Sequence, residues 1–402
     1  MDIAIYTLTS PLHDEASVNA TSKAFIGEIE ANLGFSLAIK GKDFSGYGSH
    51  DLDIIYVRTG GTEGLFKEVF PQIDGPVLLL TSGKSNSLAA SMEILSYLRQ
   101  QGRKGEIIHG KPSYIAERIS ILAKASAARK ALEGVNLGII GQPSDWLISS
   151  NADKEAVKNK LGINLKEIGI EELVNEIKST EASSTDDRTQ SLCASVPEGI
   201  RKYLDGALAI YSALKNLIRR YELSGLTLRC FDLLTAVGNT GCLALALLNE
   251  EGIPAGCEGD VPALLSMAIG NALTGQCGFQ ANPSRIDPQT GEFLFAHCTV
   301  PFNMVERYSF NTHFESGIGI AIHGELPAGD ATVFKVSGDL SRALCTSGQL
   351  IDNQYESHLC RTQIIMNLEN CAGYFQTDPI GNHHIIFTGN HRHLFEAFLQ
   401  TI

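Results

Sequence analysis

Three segments in the second half of the chain carry carboxylate or imidazole side chains that could bind a metal ion or move a proton. The first is AGCEGD at 255–260, where Glu258 and Asp260 follow a predicted strand and precede the predicted helix VPALLSMAIGNALTG. A carboxylate at the end of a strand is well placed for a ligand. Asp260 also stands directly before Val261 and Pro262, which is typical of a helix N-cap, so both interpretations stay open for it.

Histidines mark the other two segments. His297 lies in the apolar run FLFAHCTVPF at 293–302, and PIGNHHIIFTGNH at 379–391 contains the adjacent His383 and His384. A single histidine in an apolar strand is either a hydrogen-bonded core residue or a ligand. Neighbouring side chains of an extended segment point to opposite sides, so only one of His383 and His384 can face a given site. No short zinc-type spacing connects these residues.

Two cationic residues follow predicted strands in the first third of the chain. Arg58 stands in VRTGGTE and Lys84 in SGKS. Ligands of α/β proteins usually bind where parallel strands end, so both cations are candidates to recognise an anionic substituent, with solvated surface charges as the alternative. SGKS is not a nucleotide-binding P-loop, because Leu78 occupies the position of that motif's first glycine.

Short apolar runs that alternate with stretches of helical periodicity would form the scaffold for these residues. The runs at 3–8, 53–61 and 76–83 end in Gly-rich or polar turns, and the pattern resumes at 135–141. Continuous apolar strands between helices are typical of parallel sheets that are buried on both faces. The sequence therefore predicts two Rossmann-like α/β domains, although the dinucleotide motif GxGxxG is absent from the sequence.

The pattern changes to short alternating strands after about residue 301. They are separated by Gly, Asp and Pro and predict an antiparallel barrel or sandwich, closed by a helix at roughly 391–400. We expect three domains, at 1–130, 131–300 and 301–402, and a Ser/Thr/Asp-rich loop at 179–191.

Composition restricts the class of protein. With 402 residues and 44% apolar content the chain can bury several cores. A formal charge of −13 without Lys/Arg clusters argues against a nucleic-acid partner. No apolar run approaches the length of a membrane span, the N-terminal segment lacks the pattern of a signal peptide, and the nine cysteines form no CxxC pair. We expect a cytoplasmic protein with no membrane partner.

Several motifs together resemble the superfamily of L-fucose isomerase and L-arabinose isomerase. The likeness is closest to its shorter fucose isomerase-like members, some of which act on modified hexoses such as sulfoquinovose. The motifs are RCFDLL, LLNEEGIPAGCEGD, a helix ending in LTG, HCTVP, ESGIG, CRTQ and GNHH. The resemblance implies a sugar ketol-isomerase, an intramolecular oxidoreductase with two α/β domains and a β-barrel-like C-terminal domain.

The resemblance also implies a divalent-metal site, usually for Mn²⁺, with Mg²⁺ as another candidate. The family's Glu, Asp and His ligands match Glu258, Asn282 and His383, and a further histidine of the arabinose isomerases matches His297. Asn282 is a departure from the pattern. An amide can donate a carbonyl oxygen to a metal, but it cannot accept a proton at neutral pH.

The expected chemistry is proton transfer between C1 and C2 of a sugar through an enediol. Glu258 is expected to bind the metal and move the proton, with Asp260 as the second catalytic candidate. The family likeness implies a homo-oligomer, a trimer or hexamer, with the site at a subunit interface. A paralogue that binds a carbohydrate but epimerises it, or a non-catalytic binding protein, is the alternative. The expected substrate-binding residues are Arg58, Lys84, Asn282, Glu315 and Asn382.

Overall fold

A computed structural model describes residues 2–180 and 187–402. The described chain divides into two compact units, of which the first contains the residues up to Lys130 together with His393–Ile402 and the second contains Ala131–Arg392. Within the described ranges, no helix combines the length and the apolar character that a membrane crossing requires. The division into three domains at residues 130 and 300 stays a prediction.

The first unit is built on a five-stranded parallel sheet with the order β2-β1-β3-β4-β5. Every residue of β1 and β4 is buried, which explains why these strands are continuous apolar runs. The strands are β1 (Ile3–Leu8), β2 (Ala38–Gly41), β3 (Leu52–Val57), β4 (Val77–Leu80) and β5 (Gly105–Ile108). The helices are α1 (Glu15–Leu33), α2 (Glu63–Val69), α3 (Ser87–Gln100), α4 (Pro112–Ala131) and, after the second unit, α14 (Arg392–Leu399).

The second unit begins with a four-stranded parallel sheet with the order β7-β6-β8-β9. Its strands are β6 (Asn136–Ile140), β7 (Asn164–Ile168), β8 (Leu223–Leu228) and β9 (Ala255–Cys257). Its helices are α5 (Lys154–Leu161), α6 (Ile170–Ser179), α7 (Asp187–Ala194), α8 (Glu198–Arg201), α9 (Leu204–Tyr221), α10 (Asp232–Val237), α11 (Cys242–Glu250) and α12 (Val261–Thr274).

The loop predicted at 179–191 is partly wrong. Residues 187–191 belong to α7, whose Thr189, Leu192 and Cys193 are buried. Leu192 and Cys193, which pack α7 into the core of the unit, lie just beyond residue 191, so the composition of 179–191 does not reveal this contact. Residues 181–186 lie outside the described part of the chain.

A closed antiparallel barrel completes the second unit, and the predicted fold class is confirmed. The barrel order is β10-β11-β16-β15-β14-β17, and β12 pairs with β13 in a separate hairpin. The barrel begins at Phe279, earlier than the change of pattern at 301 indicates. Its strands are β10 (Phe279–Asp287), β11 (Glu292–His297), β14 (Gly329–Val336), β15 (Ala343–Gln354), β16 (Thr362–Asn367) and β17 (His384–Thr388). The hairpin strands are β12 (Arg307–Asn311) and β13 (Ala321–Glu325), and α13 (Ala372–Thr377) precedes β17.

Helix α12 packs tightly against the barrel. A Cβ atom at Gly270 would lie 2.0 Å from Cζ of Phe387 on β17, so only glycine permits this close approach. Since α12 begins three residues after Glu258, this contact fixes the acidic segment relative to the barrel strands.

Candidate metal and substrate site

The turn between β9 and α12 holds Glu258 in an unusual backbone conformation. Glu258 has φ 64° and Gly259 has φ 71°, both in the left-handed region. A non-glycine residue pays a conformational cost there, and such strain persists only where surrounding contacts enforce it. The amide of Ser144 donates to the Glu258 carbonyl at 2.9 Å. A Cβ atom at position 259 would lie 2.6 Å from the Gln142 carbonyl oxygen, so the turn requires glycine.

Three of the four predicted metal ligands converge. One ligand atom from each of Glu258, His297 and His383 lies within 4.8 Å of the others, a spacing at which the group could hold a metal ion. His297 is the last residue of β11, and His383 directly precedes β17. Strand β10 pairs with both of these strands and lies between them in the barrel. Both imidazoles are buried.

Each of these ligands is oriented by a second group. The Trp146 indole N–H donates to Oε2 of Glu258 at 2.6 Å, and His297 Nδ1 lies 2.9 Å from the Thr299 hydroxyl. Contacts of this kind fix carboxylates and imidazoles around metal ions, and they leave the second oxygen or nitrogen of each ligand available.

The fit to a cation is tested by His383. Its Nδ1 lies 2.9 Å from Oδ2 of Asp260, while its buried Nε2 has no hydrogen-bond partner within the described residues. That Nε2 lies 3.6 Å from Oε1 of Glu258. Buried polar atoms without partners are rare, and a cation between these atoms would satisfy both. The residues present therefore fit a divalent metal.

Burial and the charges within the cluster shift the pKa values of its three side chains. Burial alone would lower the pKa of His383, but attraction to Glu258 and the bond to Asp260 outweigh it and raise the pKa to about 9. Burial would raise the pKa of Glu258, but His383 lowers it to about 2. For His297, burial and repulsion by His383 lower the pKa to about 4. Without metal, the cluster is therefore a buried ion pair of Glu258 and His383 beside a neutral His297.

Asp260 is the N-cap of α12, as its position before Val261 and Pro262 predicts. Its Oδ1 accepts from the Ala263 amide at 2.8 Å, and its carboxylate lies 3.4 Å from the buried Lys335 ammonium. Burial would raise its pKa, but Lys335 and His383 lower it well below the usual range. Asp260 is fully buried and does not line the cavity next to the cluster. These contacts favour a positioning role through His383, and its catalytic role stays a prediction.

A cavity opens beside the metal-ligand cluster. Glu258, Asn282, His297 and Glu315 lie in its wall, so the cavity is lined by two carboxylates and one amide. Oδ1 of Asn282 accepts from the Asn382 amide at 3.0 Å, which leaves the amide N–H groups of Asn282 available to a ligand. The remaining lining residues are Cys230, Phe231, Leu234, Thr240, Cys242, Cys257, Cys298, His313 and Cys360.

The other two predicted substrate-binding residues belong to the first unit. Arg58 is buried, so the alternative of a solvated surface charge is wrong for this residue, whereas Lys84 is exposed. Sequence reasoning missed Trp146, Thr299 and Lys335. Two of them carried a signal: Trp146 is the single tryptophan of the chain, and Lys335 interrupts the apolar run TVFKV. Thr299 carried none.

No protein-family model matches the chain. The curated proteins to which we find it similar are isomerases. A sulfoquinovose isomerase from Clostridium sp. (strain MSTE9) is 26% identical over 311 residues, which cover 74% of this chain and 68% of that protein. Sulfoquinovose isomerases from Priestia aryabhattai and Alkalicoccus urumqiensis are 25% and 23% identical, over 66% and 70% of this chain. The chain spans 63% and 65% of those two relatives. The similarity supports an enzyme of the intramolecular oxidoreductase class.

Proposed function

We propose that the protein is a metal-dependent aldose–ketose isomerase that acts on a hexose, deoxyhexose or modified sugar. The observation that carries the proposal is the convergence of Glu258, His297 and His383, with the unpartnered nitrogen of His383, beside a cavity. The similarity to proteins named sulfoquinovose isomerase supports the reaction class. It also makes sulfoquinovose, a sulfonated hexose, the first substrate to test.

Glu258, His297 and His383 would hold the cation through one carboxylate oxygen and two imidazole nitrogens. Two nitrogen donors suit Mn²⁺ better than Mg²⁺, which prefers oxygen ligands. When bound, the ion would polarise the substrate carbonyl and lower the pKa of the adjacent hydroxyl. We propose that Asn282 lies beside this group and donates its amide N–H to a sugar hydroxyl, because its oxygen already accepts from Asn382.

Proton transfer between C1 and C2 needs a carboxylate on the substrate side of the site. Glu258 and Glu315 are the two carboxylates that line the cavity. Asn282 cannot accept a proton at neutral pH, so we propose that Glu315 shares the acid–base work with Glu258. The Trp146 N–H keeps the Glu258 carboxylate in one orientation during the transfer.

The proposal is tested by following exchange of the substrate C2 proton with solvent deuterium by NMR. Sulfoquinovose, glucose, L-fucose and L-arabinose would each be incubated with metal-free protein and with protein supplied with Mn²⁺. Metal-dependent exchange together with ketose formation supports the isomerase. A C2 epimer without ketose would favour the epimerase alternative, and binding without exchange would favour a non-catalytic protein. Glu258→Gln serves as the inactive control.

The resemblance to the fucose isomerase group also supports a homo-oligomer, a trimer or hexamer, with sites at subunit interfaces. Light scattering of the active protein tests this assembly. A monomer with full activity would contradict it.

A further inference from the structure

The first unit contains a cavity of its own, with a volume of about 250 Å³. It is bounded by α1 and by strands β1, β2 and β3, and it combines an apolar wall with a group of polar side chains. The lining residues are Ile5, Thr7, Asn19, Ser22, Lys23, Ile26, Glu30, Ile39, Tyr56 and Arg58.

Arg58 is the chemically unusual member of this cavity. Arg58 is the first residue after β3, and only 8% of it is exposed. Its Nε donates to the Ser22 hydroxyl at 2.9 Å and its Nη2 donates to Oδ1 of Asn19. No carboxylate of the described ranges lies within ion-pair distance of it. Burial lowers the pKa of Arg58, but a guanidinium stays charged at neutral pH. Buried cations are normally paired with an anion. The cavity beside the Arg58 guanidinium could therefore bind one.

The polar groups are arranged around one end of the cavity. Asn19, Ser22 and Lys23 lie within about one turn of α1, and Lys23 adds a second cation to that of Arg58. Glu30 lies eight residues after Ser22, which is about 12 Å along the helix. Its carboxylate accepts from the Leu37 amide at 2.7 Å. The cationic end is therefore separated from the only carboxylate among the lining residues.

We propose that the Arg58 end of this cavity is a binding site for a tetrahedral oxyanion, as found in a sulfonate, a sulfate or a phosphate. The guanidinium and the Lys23 ammonium supply charge, and the hydroxyls of Ser22 and Thr7 supply further hydrogen bonds. The anion is either a free inorganic ion or the anionic substituent of a sugar, and only the second source rests on the proposed function.

The experiment is an NMR titration of protein labelled with ¹⁵N-arginine, with the Arg58 Nε–H signal assigned by its loss in Arg58→Lys. Sodium sulfate replaces sodium chloride stepwise, so that the ionic strength stays constant. We expect a saturable shift of the Arg58 signal and at least fivefold weaker binding in Lys23→Glu. Lys124→Glu, which makes the same charge change at an exposed residue of the same unit outside the cavity lining, should bind sulfate as the parent does. An Arg58 signal that does not respond to sulfate, or equal affinity in Lys23→Glu and the parent, would overturn the proposal.

Two sugars distinguish the source of the anion. A saturable shift with sulfoquinovose but not with glucose would assign the site to a sugar's sulfonate. A shift with sulfate and phosphate but with neither sugar would assign it to a free ion. The sulfate titration needs neither turnover nor a metal ion, so its outcome does not depend on the isomerase proposal. Failure of the isomerase proposal is thereby distinguishable from failure of the anion site.

Discussion

Oδ2 of Asp260 lies 2.9 Å from Nδ1 of His383, so the carboxylate that begins α12 also orients an imidazole of the candidate metal site. Lys335 balances the charge of this carboxylate in the buried interior. Three functions therefore depend on one side chain: helix capping, charge pairing and ligand orientation.

Asp260→Asn separates these functions, because Asn is an equally good N-cap but carries no charge. We expect Mn²⁺ affinity to fall 10- to 100-fold, since His383 loses its ionised partner. We also expect a loss of about 3 kcal/mol in the free energy of unfolding, because Lys335 stays buried and unpaired. Calorimetry and urea denaturation measure the two effects. Asp153→Asn is the matched control, because Asp153 caps α5 in an exposed position and should change neither quantity by much. Unaltered metal affinity in Asp260→Asn would rule out the orienting role.

Glu258→Gln and Glu315→Gln should differ in their effect on the metal. Gln at position 258 can still accept from Trp146 but is a weaker ligand, so both turnover and Mn²⁺ affinity should fall, each at least tenfold. Glu315 is outside the three-residue cluster, so Glu315→Gln should lower turnover 10²- to 10⁴-fold and leave Mn²⁺ affinity within about twofold. Turnover and metal titration on the same samples test this. Normal turnover in Glu315→Gln would assign the second acid–base role elsewhere.

Metal binding should release one proton from His383 at neutral pH. The pKa of His383 in the free protein is raised to about 9, so a metal ion must displace a proton at any lower pH. Apparent Mn²⁺ affinity should therefore rise about tenfold per pH unit between pH 6 and 8 and level off above pH 9. His297, with a pKa lowered to about 4, adds no dependence in that range. Calorimetry in two buffers of different ionisation enthalpy counts the protons. An affinity that is constant from pH 6 to 8 would contradict the prediction.

Asn282→Asp tests whether position 282 reaches the metal. The carboxylate can still accept from Asn382, and it adds negative charge to the cavity wall that contains Glu258. Two carboxylates repel each other unless a cation lies between them, so Mn²⁺ affinity should increase about tenfold while activity on the natural substrate falls. Calorimetry of both proteins gives the comparison. Equal affinities would place Asn282 outside the coordination sphere and leave it a substrate contact.

The strands that sequence patterns predicted are those whose burial is regular. β1 and β4 are buried along their length, β3 is buried except at Asp53, and the barrel strands β14 and β17 are mostly buried. β15 lacks a regular apolar pattern, because half of its residues are polar and only Leu350 is buried, and pairing with β14 and β16 determines its conformation. β10 contains Pro283, and a proline usually argues against a strand. The pairing of β10 with β11 is irregular between Pro283 and Arg285, and prolines in sheets occur at such irregularities.

The candidate site also contains residues that the sequence indicated and residues that it did not. Glu258, His297 and His383 belong to segments with recognisable motifs, so their types and order indicated a metal centre. Trp146 and Lys335 act on this centre from elements far away in the sequence, and only the tertiary structure brings them to Glu258 and Asp260. The sequence also could not show that Arg58 is buried, because a solvated cation after a strand would have the same sequence pattern.

The turn at Glu258 and Gly259 limits how this cavity can be re-engineered for another sugar. A side chain at 259 would collide with backbone atoms of Gln142 and Pro143, which cannot rotate away as a side chain would. Phe231 and Leu234 line the same cavity with side chains and can be varied in a library. Directed evolution of substrate range should therefore accept changes at 231 and 234 and return glycine at 259 in every active clone.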